Sequence, residues 1–234
     1  MSISQRPATA SNNHNDVTQT SAPGTGRSTI ISAALALGAG AVAVMLLWNP
    51  WPARNELSYG AVAPIRDNTW LGISVDGVGL AVAGFALSLT ACTLVRQRGA
   101  VLATVGSIVT SLGGLLFAMG AFAFAAFSWY ATETDAIPTS AGTDLMEYAA
   151  DSPGHIMGLQ IAGFLLFTIG VVMLSIALLR AATVPQWVPL MMLVLTVAQF
   201  APVPGRILDL IQVAFMAILI ALAALFFGAK SALR

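Results

Sequence analysis

Charged residues are scarce in this chain of 234 residues. Lys, Arg, Asp and Glu make up 9% of it and hydrophobic residues 57%, whereas roughly 25% of a soluble domain is charged. A water-soluble fold of this size would lack the polar side chains to cover its surface, so the hydrophobic excess must face lipid. The net charge is zero, which leaves no basic field to attract nucleic acid. The sequence therefore predicts an integral membrane protein that contacts the lipid bilayer and has no nucleic-acid partner.

Cysteine and histidine are also rare. Cys92 is the only cysteine, which excludes an intramolecular disulfide, a cysteine-rich metal site and a CxxC redox motif. His14 and His155 are too far apart in sequence to indicate a local pair of metal ligands. The sequence also lacks GxSxG, P-loop and HExxH motifs. We therefore predict no catalytic, cofactor-binding or metal-binding residues, and an enzyme is the less favoured class.

Long hydrophobic runs fill most of the chain. A helix needs roughly 20 apolar residues to cross the hydrocarbon core, and the runs predict six spans: 28–48, 70–95, 100–129, 155–179, 184–201 and 206–228. The predicted fold is thus an all-α polytopic bundle whose transmembrane domain covers 28–229. The polar residues 1–27 predict a disordered cytoplasmic tail, and 230–234 form a short cytoplasmic tail.

Two of these spans have alternative interpretations. Ala39-Gly40-Ala41 resembles a signal-peptide cleavage site, but the apolar run continues through Val42–Trp48, so we interpret the segment as an uncleaved span. The fifth span, 184–201, is the shortest and is followed by the helix breakers Pro202, Pro204 and Gly205. If it is a re-entrant segment, five full spans remain.

The distribution of basic residues predicts the orientation, because cytoplasmic segments carry an excess of Lys and Arg. With both termini in the cytoplasm, seven basic residues lie inside (Arg6, Arg27, Arg96, Arg98, Arg180, Lys230, Arg234) and three outside (Arg54, Arg66, Arg206). The outer loop 131–153 has five acidic residues and no basic one. In it, Asp144 followed by Glu147 predicts a single capped helical turn on the membrane surface. We assign the chain to the plasma (inner) membrane of a bacterium.

Small residues at four-residue spacing predict where helices pack, because transmembrane helices associate through close backbone approach. The third span carries one such stripe and the fourth carries another. The candidate packing residues are Gly106, Thr110, Gly114 and Ala118 in the third span, and Gly154, Gly158 and Ala162 in the fourth. Ala and Gly are so common here that chance spacing is the alternative explanation.

Polar residues inside predicted spans provide the candidate functional site, because ionisable groups are costly within a bilayer. Under the predicted topology they all lie in the outer half of the membrane: Asp76, His155, Gln160, Gln199, Arg206, Asp209 and Gln212. One interpretation is a polar pocket open to the outside, with the two carboxylates as proton or cation sites. The other is solvation at the interface, with Arg206 and Asp209 as a local ion pair.

The C-terminal half resembles a known group of proteins. Ala177-Leu-Leu-Arg180 closes one span, and Val184-Pro185-Gln186-Trp187 opens the next, ahead of two apolar spans with an Asp near the start of the last. Over residues 155–228 this pattern resembles uncharacterised multi-spanning membrane proteins of actinobacteria, except that Gln186 stands where the pattern favours Arg. The resemblance implies a membrane architecture and a host, and it carries no activity.

Three functions remain open on the sequence. The first is an accessory or structural protein that binds another membrane protein or a second copy of itself. The second is a small-solute or proton-coupled transporter that uses Asp76 and Asp209. The third is an enzyme of the outer leaflet, in which the acidic loop and His155 would hold a metal. Convergence of the two carboxylates on a hydrated cavity distinguishes the second from the others.

Overall fold

A computed structural model describes residues 25–48 and 58–231, and every regular element in this part of the chain is helical. The elements are α1 (Thr25–Trp48), α2 (Tyr59–Val62), a 3₁₀ turn (Ala63–Ile65), α3 (Arg66–Leu94), α4 (Ala100–Ala131), α5 (Thr139–Asp151), α6 (Pro153–Ala181), α7 (Trp187–Ala198) and α8 (Gly205–Ser231). The all-α bundle predicted from the apolar runs is thereby confirmed. Most of the predicted N-terminal tail, as well as Trp51 and Arg54, lies outside the described residues.

Five helices in the described part are long and apolar enough to cross a membrane: Gly26–Trp48, Tyr59–Leu94, Ala100–Ala131, Pro153–Ala181 and Gly205–Gly228. They indicate a multi-pass integral membrane protein. The predicted fifth span contains only the 12-residue α7, about 18 Å at 1.5 Å per residue, whereas the hydrocarbon core is about 30 Å thick. Pro202 and Pro204 disfavour helical backbone in the residues before them, and α7 ends at Ala198.

Six helices, α1, α3, α4, α6, α7 and α8, close into a ring. Along it, α1 contacts α3, α3 contacts α4, α4 contacts α6, α6 contacts α7, α7 contacts α8, and α8 returns to α1. Weaker contacts of α3 with α6 and α8 cross the ring. One hydrophobic core includes residues from all six helices, among them Leu35, Leu87, Leu174, Met192 and Leu219. We call the end at which α1 and α4 finish and α3 and α6 begin the outer end.

Glycines allow neighbouring helices in the ring to approach closely. A Cβ at Gly38 would lie 2.8 Å from the carbonyl oxygen of Gly79, which brings the backbones of α1 and α3 into contact. On α4, Gly113 packs on Phe167 and Gly120 on Gln160, in each case backbone against backbone. These glycines are seven residues apart, and seven residues fall only about 20° short of two turns, so they stay on one face of the helix.

The predicted packing stripe of the third span divides between two interfaces. A Cβ at Gly106 would lie 2.9 Å from the Cβ of Met173, and Gly170 packs on Thr110, so both residues face α6. Gly114 packs instead on Ala81, and Ala118 lies against Gly77, so these two face α3. The reason is geometric, because four-residue steps advance about 40° each around a helix of 100° per residue.

The predicted stripe of the fourth span does not pack within the described chain. A Cβ at Gly154 or Gly158 would meet no atom within 4 Å, and Ala162 is exposed. The opposite side of α6, which carries Gly163 and Gly170, is the one that packs on α4. These three residues therefore face away from the bundle, and their role in helix packing stays a prediction.

A hydroxyl network joins α3 to α4 in the inner half of the bundle. The Oγ atoms of Ser88 and Ser107 each lie within reach of the other residue's carbonyl oxygen, at 3.0 and 3.1 Å. Ser111 donates to the Ser88 hydroxyl at 3.0 Å, and the Cys92 sulfur lies 3.1 Å from Ser107 Oγ. Interhelical hydroxyl bonds of this kind supplement van der Waals packing in a bilayer.

Candidate functional site

Asp76 lies on the interior-facing side of α3. Residues seven apart share a helix face, and Thr69 and Ala83, seven residues to either side of Asp76, are both buried. Val78 and Phe85, on the far side of the helix, are 46% and 45% exposed. Asp76 itself is only half-buried, although Thr69 and Ala83 on its line are buried.

Three glutamines repeat this arrangement on other helices. Gln160 of α6 lies seven residues before the buried Phe167, Gln199 follows the buried Met192 of α7 by seven, and Gln212 of α8 precedes the buried Leu219 by seven. Each glutamine is half-buried. At each of these four positions the interior-facing line is less buried than at the residue seven places further in.

Asp209 completes the set. It is 5% exposed on α8, three residues before Gln212 and therefore on an adjacent part of the same face. Both Asp76 and Asp209 make polar or electrostatic interactions in the structure. We call Asp76, Gln160, Gln199, Asp209 and Gln212 the outer polar layer.

The other two candidates are not part of this layer. His155 is exposed in the first turn of α6, and Arg206 is exposed near the start of α8. Neither shares a line with the buried residues of its helix. The structure therefore separates them from the five residues of the outer polar layer.

Two packing contacts place Asp76 and Gln160 at similar depth. Gly77, next to Asp76, packs on Ala118 and Ala121 of α4. Gly120, next to Ala121, packs on the backbone of Gln160. Asp76 and Gln160 therefore lie level with one another on either side of α4.

The end of α7 lies at a similar depth. The rings of Phe164 and Phe200 are 5.9 Å apart, and Phe164 is about 16 Å along α6 from its outer end at 1.5 Å per residue. The non-helical residues 199–204 thus occupy the outer half of the bundle beside Gln160. Irregular backbone at membrane depth is tolerated where it is buried in protein or lines a hydrated cavity.

A close contact joins α3 to α6 on the inner side of the outer polar layer. The ring of Phe167 crosses from α6 to Gly84 of α3, where a Cβ would lie 3.0 Å from it. Phe167 is 4% exposed. Because Gly84 lies about two turns inward of Asp76, this contact seals α3 against α6 below the outer polar layer.

A second polar cluster joins α3 to α4 at their outer ends, and we call Arg66, Asp67, Trp129 and Glu133 the outer clasp. Arg66 Nη2 lies 3.0 Å from Glu133 Oε2, and its Nη1 donates to the Thr132 carbonyl oxygen at 3.2 Å. Its guanidinium sits 5.4 Å from the centroid of the Trp129 ring. The indole nitrogen of Trp129 in turn donates to Asp67 at 2.9 Å.

Sequence reasoning missed the outer clasp. It counted Arg66 for membrane orientation alone, and Arg66 and Glu133 lie far apart in the chain. The only signal in the sequence was a basic residue just before the second predicted span and an acidic loop just after the third. Beside the clasp, α5 is a helix of 13 residues where a single turn was predicted. It packs through Met146 on Val62 and Ala131.

The described part of the chain contains no group of three or more His, Cys, Asp or Glu residues placed to hold a metal ion. No family profile matches the sequence, and neither a curated protein nor a solved structure matches it.

Proposed function

We propose that the protein is a small transporter that admits a solute or protons from the outer side to the outer polar layer. The supporting observation is the position of the two carboxylates: Asp76 and Asp209 lie on the interior-facing sides of their helices. Side chains that were merely solvated by headgroups would occupy the lipid-facing sides instead. An intramembrane carboxylate directed at the bundle interior is the usual mark of a substrate or proton pathway.

The connection between α7 and α8 supports the same proposal. Residues 199–204 leave helical geometry where Phe200 contacts Phe164, and irregular backbone at this depth suits a hydrated pathway. The closed contact of Phe167 with Gly84 fits an outward-open state, in which the pathway is accessible from one side at a time. The proposal takes the bacterial plasma membrane as the location, with both termini in the cytoplasm, following the seven-to-three distribution of basic residues.

The test is thermal unfolding of the purified full-length protein across pH 5–9 and a panel of small solutes. A ligand that binds only the folded state stabilises it in a concentration-dependent way. We expect at least one solute or a change in pH to shift the unfolding temperature of the wild type, and Asp76→Asn to lose that shift. Asp151→Asn, which removes an exposed outer carboxylate, is the matched control and should respond as the wild type does.

The same experiment can contradict the proposal. If the wild type, Asp76→Asn and Asp209→Asn respond alike to every condition, the carboxylates take no part in binding. The outer polar layer is then a structural feature.

A role in binding another membrane protein is the second candidate, and the outward stripe of α6 favours it. Gly154, Gly158 and Ala162 face away from the described chain with open space around the two glycines. Small residues at this spacing allow a neighbouring transmembrane helix to approach closely. Under this function Gly158→Leu would abolish co-purification of a partner or a second copy, whereas Ile108→Ala, a substitution at an exposed site on α4, would not.

A further inference from the structure

We infer that the inner end of the bundle binds the headgroup of an anionic phospholipid between Arg98 and Arg180. We call these two residues the inner arginine pair. The pair lies at the opposite end of the bundle from the outer polar layer, and its role does not depend on the transporter proposal.

A glycine contact brings the two arginines together. Gly99, in the connection between α3 and α4, has a φ of 90°, and a Cβ there would lie 3.2 Å from the carbonyl oxygen of Ala177. Backbone contact thus fixes this connection against α6, and glycine is the residue that tolerates such a φ. Arg98 directly precedes Gly99, and Arg180 lies about one turn after Ala177. Their Cα atoms are therefore within about 15 Å of each other, since one residue spans about 3.8 Å.

The described part of the chain places no acidic residue near the inner arginine pair. All acidic residues that the structure describes lie in the outer half of the bundle, from Asp67 at the start of α3 to Asp209 near the start of α8. Arg98 and Arg180 are exposed, as is the neighbouring Arg96. Three guanidinium groups thus carry positive charge at this end, and they attract an anion from outside the described chain.

The lengths of α4 and α6 place the pair at the level of the lipid headgroups. The two helices have 32 and 29 residues, or about 48 and 44 Å at 1.5 Å per residue. A bilayer with its headgroup regions is about 40–45 Å thick, so helices of this length reach from one headgroup region to the other. Arg98 lies two residues before α4 begins, and Arg180 lies in the last turn of α6.

Exposed apolar side chains border the pair. Val101 in the first turn of α4 is 79% exposed, and Trp187 in the first turn of α7 is 51% exposed. Trp is enriched at the boundary between hydrocarbon and headgroups, because its ring is apolar and its N–H group is polar. Exposed apolar residues beside exposed arginines match a surface that meets acyl chains and phosphates together. This combination favours a lipid as the anion.

The chemistry of the pair suits the phosphate of a phospholipid. A guanidinium can donate two parallel hydrogen bonds to phosphate oxygens, whereas an ammonium acts as a point charge. A zwitterionic lipid would also bring a cationic amine, which the arginines repel. We therefore expect a headgroup with a net negative charge, and phosphatidylglycerol is a suitable probe.

The experiment measures thermal unfolding of the full-length protein in a neutral detergent with added phosphatidylglycerol, phosphatidylcholine or inorganic phosphate at constant ionic strength. We expect phosphatidylglycerol alone to raise the unfolding temperature in a saturable way. Arg98→Gln and Arg180→Gln should each weaken its apparent affinity about fivefold, and the double variant about tenfold or more, because each basic residue near an anionic lipid contributes a factor of about five.

Arg206→Gln is the matched control, because it removes the same charge from an exposed site at the outer end. It should leave the effect of phosphatidylglycerol unchanged. Gly99→Ala retains every arginine but is strained at its φ and places a Cβ against Ala177, so it should weaken the lipid effect as well. Without lipid, the arginine variants should unfold at the temperature of the wild type, since both sites are exposed, which separates lost binding from lost folding.

Several outcomes would refute this inference. Equal stabilisation by phosphatidylcholine would mean that the acyl chains act without the headgroup, and equal stabilisation by inorganic phosphate would indicate a site for the free ion. If Arg206→Gln weakens the effect as much as Arg98→Gln does, the attraction is diffuse and the pair forms no site. An unchanged affinity in Gly99→Ala would mean that the glycine contact does not position Arg98. None of these results bears on the transporter proposal, which depends on Asp76 and Asp209.

Discussion

At the scale of single residues, the outer clasp and the Ser88–Ser107 pair show what sequence reasoning could not reach. Both depend on which side chains two separate helices bring together, and no local pattern encodes that pairing. The polar residues of the layer were foreseeable, because a polar side chain in an apolar run is visible without a partner. Which of the polar candidates face the interior of the bundle was not foreseeable. Whether Gln160 or His155 does so depends on which side of α6 packs on α4.

The Arg66–Glu133 pair should contribute measurably to stability. Its side chains are 29% and 13% exposed, so water screens the pair less than a surface ion pair. We expect Glu133→Gln to cost about 1.5–3 kcal/mol, the range for hydrogen bonds to charged groups, as measured by thermal or denaturant unfolding in detergent. Glu147→Gln on the exposed side of α5 is the control. Equal effects of the two changes would mean that the clasp stabilises nothing.

Ser88→Ala tests the hydroxyl network. It removes the bonds between Ser88 and the carbonyl of Ser107 and between Ser111 and Ser88. Interhelical bonds of this type in membranes average about 0.6 kcal/mol and reach about 1.7, so we expect a loss in that range on unfolding. Thr93→Ala, which removes an exposed hydroxyl bonded within its own helix, should cost less. If it costs as much, the network does not join α3 to α4.

At the scale of elements, the lengths of the apolar runs predicted most helices within a few residues. The interfaces were predicted less well because the search used four-residue spacing, which drifts around the helix by about 40° per step. The glycines that join α4 to α6 are seven apart and stay on one face. In the structure the predicted fifth span contains the short α7. Pro202 and Pro204, which disfavour helical backbone in the residues immediately before them, follow it.

Gly113 and Gly158 provide a matched pair of substitutions. A Cβ at Gly113 would overlap the backbone of Phe167, whereas one at Gly158 would meet nothing within 4 Å. Gly113→Ala should therefore separate α4 from α6 and lower the unfolding temperature by several degrees. Gly158→Ala should be neutral or mildly stabilising, because Ala favours the helix over Gly. Comparable destabilisation by both would contradict the described α4–α6 interface.

At the scale of the whole molecule, six helices form a ring in which α7 is the shortest. Its 12 residues do not reach across a bilayer alone, so the non-helical residues 199–204 must complete the crossing if both termini share one side. Reporter fusions after Arg234 and before Met1 test this. We expect both in the cytoplasm. Reporters on opposite faces of the membrane would leave five spans and make α7 re-entrant.

The central claim is that the outer polar layer borders water rather than lipid, and thiol accessibility tests it most directly. In a Cys92→Ser background, Gln160→Cys and Gln212→Cys would be treated in intact cells with a membrane-impermeant thiol reagent, which reacts only where a thiolate forms in water. Asp135→Cys in the exposed outer loop is the positive control. Val78→Cys, exposed on the opposite side of α3 from Asp76, tests for lipid exposure.

We predict labelling of Gln160→Cys and Gln212→Cys, but neither of Val78→Cys nor of Leu219→Cys, which is buried two turns further in. Labelling of Asp135→Cys alone would mean that the layer is dry, and it would contradict the account.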